Sequence, residues 1–135
     1  MGHVKIDTAK KERTYSVKYA LSTAAGVKSL LRDRHRISSA RFKGDTAASD
    51  ILLDLNSAIY NAGLTDRQTE AVALISGMDL TQNEAARVMG IARQVVAKMY
   101  DEAAEKLAAV YRKWEYGEVV VEYTEDIASA EGEAA

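Results

Sequence analysis

The stretch from residue 63 to 116 consists of apolar segments separated by glycines, and this pattern constrains the fold more than any other feature of the chain. Thr65 and Thr81 are hydroxyl residues that can cap the start of a helix, and Glu84 follows Thr81 at the spacing of a capping box. The glycines that end the predicted segments are Gly63, Gly77 and Gly90. The pattern therefore predicts two short helices and the start of a third, joined by tight turns.

The helix that follows Gly90 is predicted to be long. It begins near Ala92, and an apolar stripe at three- and four-residue steps continues for some 23 residues, or about 35 Å. The stripe consists of Val96, Met99, Ala103, Leu107, Val110 and Trp114. A small domain cannot cover this length, so we expect the far end to contact the first two helices, a partner or another copy of the chain. We expect a homo-oligomer, and a dimer is favoured.

Two further helices are predicted before Gly63. The first covers residues 16–33, and the second begins between Thr46 and Ser49, while Ser38 and Ser39 predict a loop or helix junction between them. The apolar positions are Val17, Leu21, Ala24, Val27 and Leu31 in the first helix, and Ile51, Leu52, Leu55 and Ile59 in the second. Residues 119–123 are compatible with a short β segment. The predicted fold class is all-α.

These segments divide the chain into four parts. We expect a basic flexible arm at 1–14, a helical head at 15–62, a helix-turn-helix domain with a long last helix at 63–116, and a disordered acidic tail at 117–135. Residues 1–44 hold 11 Lys and Arg against 3 Asp and Glu, whereas residues 115–135 hold 7 acids and no base. The basic and acidic ends should therefore have different partners.

The basic residues of the first part are candidates for phosphate contacts. They are Lys10, Lys11, Arg13, Arg34, Arg36, Arg41 and Lys43. The cluster in residues 32–43 is equally compatible with a solvated basic loop. The role of these cations is left open by the sequence.

The composition excludes several kinds of chemistry. The chain has no cysteine and only two histidines, so it offers no thiolate zinc site and no thiol nucleophile. We expect no enzyme activity, no cofactor and no bound metal. No stretch approaches the roughly 18 apolar residues that a membrane span needs, and the start lacks the apolar core of a signal peptide. We therefore expect a cytoplasmic protein without a membrane partner.

The turn at Gly90 has the features of a helix-turn-helix. Glycine permits the positive φ of a sharp turn, and Ala86, Met89, Ile91 and Val96 can fill a small core between the two helices. In such motifs the second helix enters the major groove of DNA. The pattern thus predicts binding to double-stranded DNA.

The order of residues strengthens this prediction. The segments LTDRQTEAVAL (64–74), LTQNEAARVMGIARQVVAKM (80–99) and EAAEKL (102–107) resemble the DNA-binding region four of bacterial sigma factors of the sigma-seventy family. The resemblance implies major-groove binding of a promoter element and docking on a flap of RNA polymerase. By position it implies DNA contacts by Arg93, Gln94, Ala97 and Lys98, with Thr81 and Gln82 at a helix start that can meet phosphate. The alternative is that these residues form only the solvated face of an amphipathic helix.

The chain also departs from the family. Val95 and Ala97 stand where the family often has basic residues, which predicts weak binding by this helix alone. Residues 1–63 are short for the domain that melts promoter DNA, and their aromatic residues are only Tyr15, Tyr19, Phe42 and Tyr60. The chain therefore resembles a region-four module joined to an unrelated head, as in small regulators of phages and mobile elements.

Three functions are compatible with these features. The leading hypothesis is a sequence-specific DNA-binding transcription regulator of phage or mobile-element type, with RNA polymerase as a further partner. The second is the small terminase subunit that recognises phage DNA for packaging, in which the long helix and residues 119–123 would build a ring. The third is a protein that binds RNA polymerase or a sigma factor without reading DNA.

Overall fold

The computed structural model of the protein describes residues 12–39 and 47–126. These residues are mostly helical and include one small antiparallel sheet of two strands. In chain order, the elements are β1 (Glu12–Ala20), α1 (Ala24–Arg32), α2 (Arg34–Ser39), α3 (Ala47–Asn61), α4 (Asp66–Val72), a π-helical turn (Ala73–Gly77), α5 (Gln82–Met89), α6 (Arg93–Lys113) and β2 (Glu118–Asp126). The expected all-α architecture therefore holds between the two strands, whereas residues 12–20 and 118–126 form the sheet.

The helix predicted over residues 16–33 is wrong in its first part, because the chain up to Ala20 belongs to β1. Tyr19 is buried, whereas Ser16 and Lys18 are exposed, which is the period of two expected of a strand with one covered face. The inward pairs across the sheet are Tyr15 with Tyr123, Val17 with Val121 and Tyr19 with Val119. Val17 and Leu21 also stand four residues apart, so local spacing alone favoured a helix.

The same sheet corrects the expected arm and tail. β1 begins at Glu12, inside the predicted flexible arm, and β2 occupies Glu118–Asp126 of the predicted disordered tail. The short β segment predicted for residues 119–123 is confirmed, and it is longer than expected. Each strand is ordered because the other strand satisfies its backbone hydrogen bonds. The rest of the arm, residues 1–11, and the end of the tail, residues 127–135, lie outside the described residues.

The first two helices lie close to the sheet and to each other. Thr23 caps α1 by accepting a hydrogen bond from the Gly26 amide, and Gly26 lies directly against the end of β1. The loop or junction expected at Ser38 and Ser39 is instead the end of helix α2. Helix α3 begins at Ala47, as predicted, and buries Ile51 and Leu55.

The turns and caps predicted after α3 are confirmed. Gly63 has a φ of 68°, and Thr65 and Thr81 each form a capping box at the start of α4 and α5. The segment that was predicted as one helix ending near Ser76 consists of α4 up to Val72 and a π-helical turn over Ala73–Gly77. Helix α6 begins at Arg93 and ends at Lys113.

The long helix α6 is covered by the head. Leu107 and Tyr111 in its second half are completely buried and belong to one hydrophobic cluster with Leu30 of α1, Leu55 of α3 and Val121 of β2. Of the three contacts considered for this end of the helix, packing on the first helices is therefore present. Among the described residues, no helix is both long and apolar enough to cross a membrane.

Candidate DNA-binding surface

The turn between α5 and α6 is built around Gly90. Its φ of 69° lies in the left-handed region, and the Ile91 amide donates back to the Ala86 carbonyl, which closes the end of α5. The small core that was predicted here is present: Ala86, Met89 and Val96 are buried, and Ile91 packs against them. This core fixes the start of α6 relative to α5.

The start of α5 is closed by its own side chains. The Thr81 hydroxyl accepts from the Glu84 amide at 3.1 Å, and the Glu84 carboxylate accepts from the Thr81 amide at 2.9 Å. The hydrogen bond from the Thr81 amide, and after it the Thr81 hydroxyl, hold the pKa of the exposed Glu84 carboxyl below its usual value. Within the described residues, the N–H groups of Gln82 and Asn83 have no acceptor, as is usual in a first helical turn. A phosphate could meet those two groups, although the ionised Glu84 opposes it.

The start of α6 is open by contrast. Its N-cap residue is Ala92, which has no side chain that could accept a hydrogen bond, and the first turn contains no acidic residue. The N–H groups of Arg93 and Gln94 therefore face solvent at the positive end of a helix of 21 residues. This end suits an anion such as a phosphate group.

The predicted DNA-facing residues lie on this part of the structure. Arg93, Gln94 and Lys98 are exposed, and Ala97 is half-buried between them and the core. The Arg93 guanidinium donates from Nη1 to Oε1 of the half-buried Gln82 at 3.4 Å, so the two helix starts meet at this pair. Thr81 is exposed at the N-cap of α5. The structure thus brings Gln82 of α5 into contact with Arg93 of α6. Gln94 and Lys98 are exposed on α6 together with Arg93.

Sequence reasoning missed one exposed residue of this surface. Val95 keeps 42% of its accessible area although it is apolar, and it stands between Gln94 and the buried Val96. The sequence indicated only that a basic residue was absent there. Its position one residue from Gln94 and three from Lys98 places all three on the outer side of α6, which helical periodicity could have revealed. An apolar side chain at such a position can contact a thymine methyl group.

Three of the candidate phosphate contacts, Arg13, Arg34 and Arg36, make contacts within the protein. Arg34 donates from Nη2 to Oδ1 of Asn56 at 2.9 Å. The Arg36 guanidinium lies 4.0 Å from the ring centre of Tyr123 and 5.1 Å from that of Tyr15, and Arg13 lies 5.7 Å from Tyr15. The cation–π interactions of Arg36 fasten α2 to the sheet, whereas Arg13 lies over a ring of its own strand β1. The remaining candidate phosphate contacts, Lys10, Lys11, Arg41 and Lys43, lie outside the described residues.

The surface is basic, and nothing beside it points to metal chemistry. Residues 81–98 hold Arg87, Arg93 and Lys98 against the single acid Glu84. In the part of the chain that the structure describes, no three His, Cys, Asp or Glu side chains come together as metal ligands would. The arrangement can donate hydrogen bonds and attract anions.

Comparison of the chain with models of protein families, with curated proteins and with solved structures finds no match.

Proposed function

We propose that the protein is a sequence-specific double-stranded DNA-binding transcription regulator that places the first half of α6 in the major groove. One observation carries the proposal: Arg93, Gln94 and Lys98 project from a helix start that has neither a side-chain cap nor an acidic residue. Helix α5 and the Gly90 turn hold that start in place as the first helix of a helix-turn-helix would. The resemblance to sigma region four supports the same assignment and adds RNA polymerase as a proposed partner.

Each exposed side chain has a separate role in this proposal. Arg93 reads a guanine through two hydrogen bonds, and Gln94 reads an adenine. Lys98 contacts a base or a phosphate. Val95 supplies an apolar contact to a thymine methyl, and the open N–H groups of Arg93 and Gln94 hold the neighbouring phosphate.

The experiment that tests the proposal is a selection of bound fragments from the source genome at ~150 mM salt, where nonspecific binding by basic residues is weak. The wild-type protein and Arg93→Ala are run in parallel. We expect fragments from upstream of genes to be enriched by the wild type and lost with the variant. The same enrichment in both proteins would remove Arg93 from the recognition surface.

A second candidate, the small terminase subunit, is favoured by one observation. The strands β1 and β2 form a two-stranded sheet next to the long helix, and a sheet of this kind can serve in assembly. The same selection separates the two functions, because a terminase subunit would enrich a single locus beside packaging genes. No enrichment would favour a protein that binds RNA polymerase or a sigma factor without reading DNA.

A further inference from the structure

The two-stranded sheet has an open edge on each side. The backbones of residues 15–19 and 119–123 hydrogen bond only to each other within the described part of the chain. The register runs without interruption from Glu12 opposite Asp126 to Ala20 opposite Glu118, so no β-bulge twists either edge away. The chain contains no proline that could block an edge. Neither edge is therefore protected by a bulge or a proline, and the charged side chains of the two strands decide which strand can add to it.

The outer face of the sheet carries charged side chains that form no salt bridge with another described residue. Lys18 on β1 and Glu118 and Glu122 on β2 are exposed, and none of the three makes a salt bridge with another described residue. Val120 lies between the two glutamates and is 52% exposed. β2 as a whole contains four acidic residues and no base. One edge strand is therefore strongly acidic, and the other presents a lysine on the same face.

These charges discriminate among the ways in which a second copy could add to the sheet. Pairing of β2 with β2 of another copy would bring two acidic strands together. β1 contains Arg13 and Lys18 against the single acid Glu12, so it is the strand of opposite net charge. Like charges across neighbouring strands are destabilising. Pairing of β2 with β1 of the next copy instead brings Lys18 beside the glutamates.

The directions of the strands are compatible with this pairing of β2 with β1. β1 and β2 are antiparallel within one copy. If successive copies are related by rotation about an axis along the strands, every β1 points the same way, so each β2 is automatically antiparallel to the next β1. Such a head-to-tail contact leaves a free edge at each end and is completed only when a ring closes.

We propose that the partner of this sheet is a second copy of the same chain, whose β1 adds to the free edge of β2, and that repeated head-to-tail addition closes a ring. The contact does not involve the α6 surface that is assigned to DNA. The ring therefore does not rest on the DNA-contacting residues, and its failure would leave the proposed DNA binding in place. A ring that forms is compatible with the regulator and with the terminase subunit.

Disulfide cross-linking tests the pairing directly, because the natural chain contains no cysteine. Lys18→Cys is mixed with differently tagged Glu118→Cys, Val120→Cys or Glu122→Cys and oxidised, since a disulfide requires Cα atoms within about 7 Å. We expect Lys18→Cys to link to one of the three β2 variants and not to itself. A self-link of Lys18→Cys or of Glu122→Cys, or no link in any mixture, would overturn the proposal.

Charge reversal gives an independent readout by sedimentation. The wild type should sediment as three or more copies, and Lys18→Glu should weaken association by about tenfold or more. Changing to lysine whichever of Glu118 and Glu122 lies nearer to Lys18 in the cross-linking experiment should restore association in that variant. The control Arg87→Glu, at an exposed position of α5, should leave association unchanged. Circular dichroism checks that each variant is folded. A wild-type protein that remains a monomer or a dimer at high concentration would overturn the ring.

Discussion

Tyr19 is a buried residue that joins two other polar side chains of the core, those of Asp33 and Tyr123. Its hydroxyl donates to Oδ2 of Asp33 at 2.7 Å and lies 2.7 Å from the Tyr123 hydroxyl, which must then be the donor in that second bond. Tyr19 is fully buried, and Asp33 is 8% exposed. Burial and the bond to Asp33 raise the pKa of Tyr19, so the hydroxyl stays protonated and keeps donating to the carboxylate.

The variant Tyr19→Phe should therefore destabilise the protein by about 1–3 kcal/mol, because it leaves a buried carboxylate without its main donor. The matched variant Tyr123→Phe should cost less, since Tyr19 can still donate to Asp33. Urea unfolding at neutral pH measures both free energies. An equal loss of unfolding free energy in the two variants would show that the hydrogen bond from Tyr19 to Asp33 stabilises the protein no more than the bond between the two tyrosines.

The exposed polar residues of α6 could be predicted from the sequence, whereas the contacts of the head cations could not. Arg93, Gln94 and Lys98 are exposed because they lie on the outer side of one regular helix. Which residues share that side follows from their spacing in the sequence. Arg36 stacks on Tyr123, which belongs to a strand near the other end of the chain. No local pattern indicates such a pair, so the sequence could suggest only that Arg36 was available for phosphate.

For whole helices and strands, too, the sequence predicts what local residues determine and not what depends on a distant segment. Helices α4 and α5 were predicted because hydroxyl caps and glycines mark their ends within a few residues. Helix α6 was predicted from the apolar stripe that follows Gly90. Strand β1 was mistaken for the start of a helix because the strand that pairs with it lies at the opposite end of the chain. A two-stranded sheet between distant segments leaves only a weak period of two in each segment.

Gly26 gives a test of how α1 packs against β1. A Cβ atom at this position would lie 1.9 Å from the carbonyl oxygen of Ala20, which is backbone and cannot move aside cheaply. Replacement of a helical glycine by alanine normally stabilises a helix by about 1 kcal/mol. Here Gly26→Ala should instead destabilise the protein by about 1–3 kcal/mol, because the helix must shift away from the strand.

Gly117→Ala is the control for this substitution. No atom lies within 4 Å of a Cβ built at Gly117, and its φ is not positive. Thermal unfolding followed by circular dichroism should therefore show a lower midpoint for Gly26→Ala and little change for Gly117→Ala. Retained or increased stability of Gly26→Ala would mean that α1 does not approach β1 so closely.

At the scale of the whole molecule, the head and the long helix share one core. Leu30, Leu55, Leu107 and Val121 belong to the same cluster, so residues on both sides of the expected boundary near residue 62 pack together. The sequence could not decide whether the head swings free, because the apolar stripe of α6 does not specify what covers it. The head covers one face of α6, and Arg93, Gln94 and Lys98 stay exposed at its start.

The central claim is that this surface binds DNA. Its most direct test is an equilibrium titration of the selected duplex at ~150 mM salt with the wild type, Arg93→Ala and Lys113→Ala. Both variants remove one positive charge from α6, at sites about 30 Å apart. We predict that Arg93→Ala weakens binding by about 1–3 kcal/mol, or roughly 5- to 150-fold, and that Lys113→Ala changes it little. Equal losses in the two variants, or no loss with Arg93→Ala, would contradict the account.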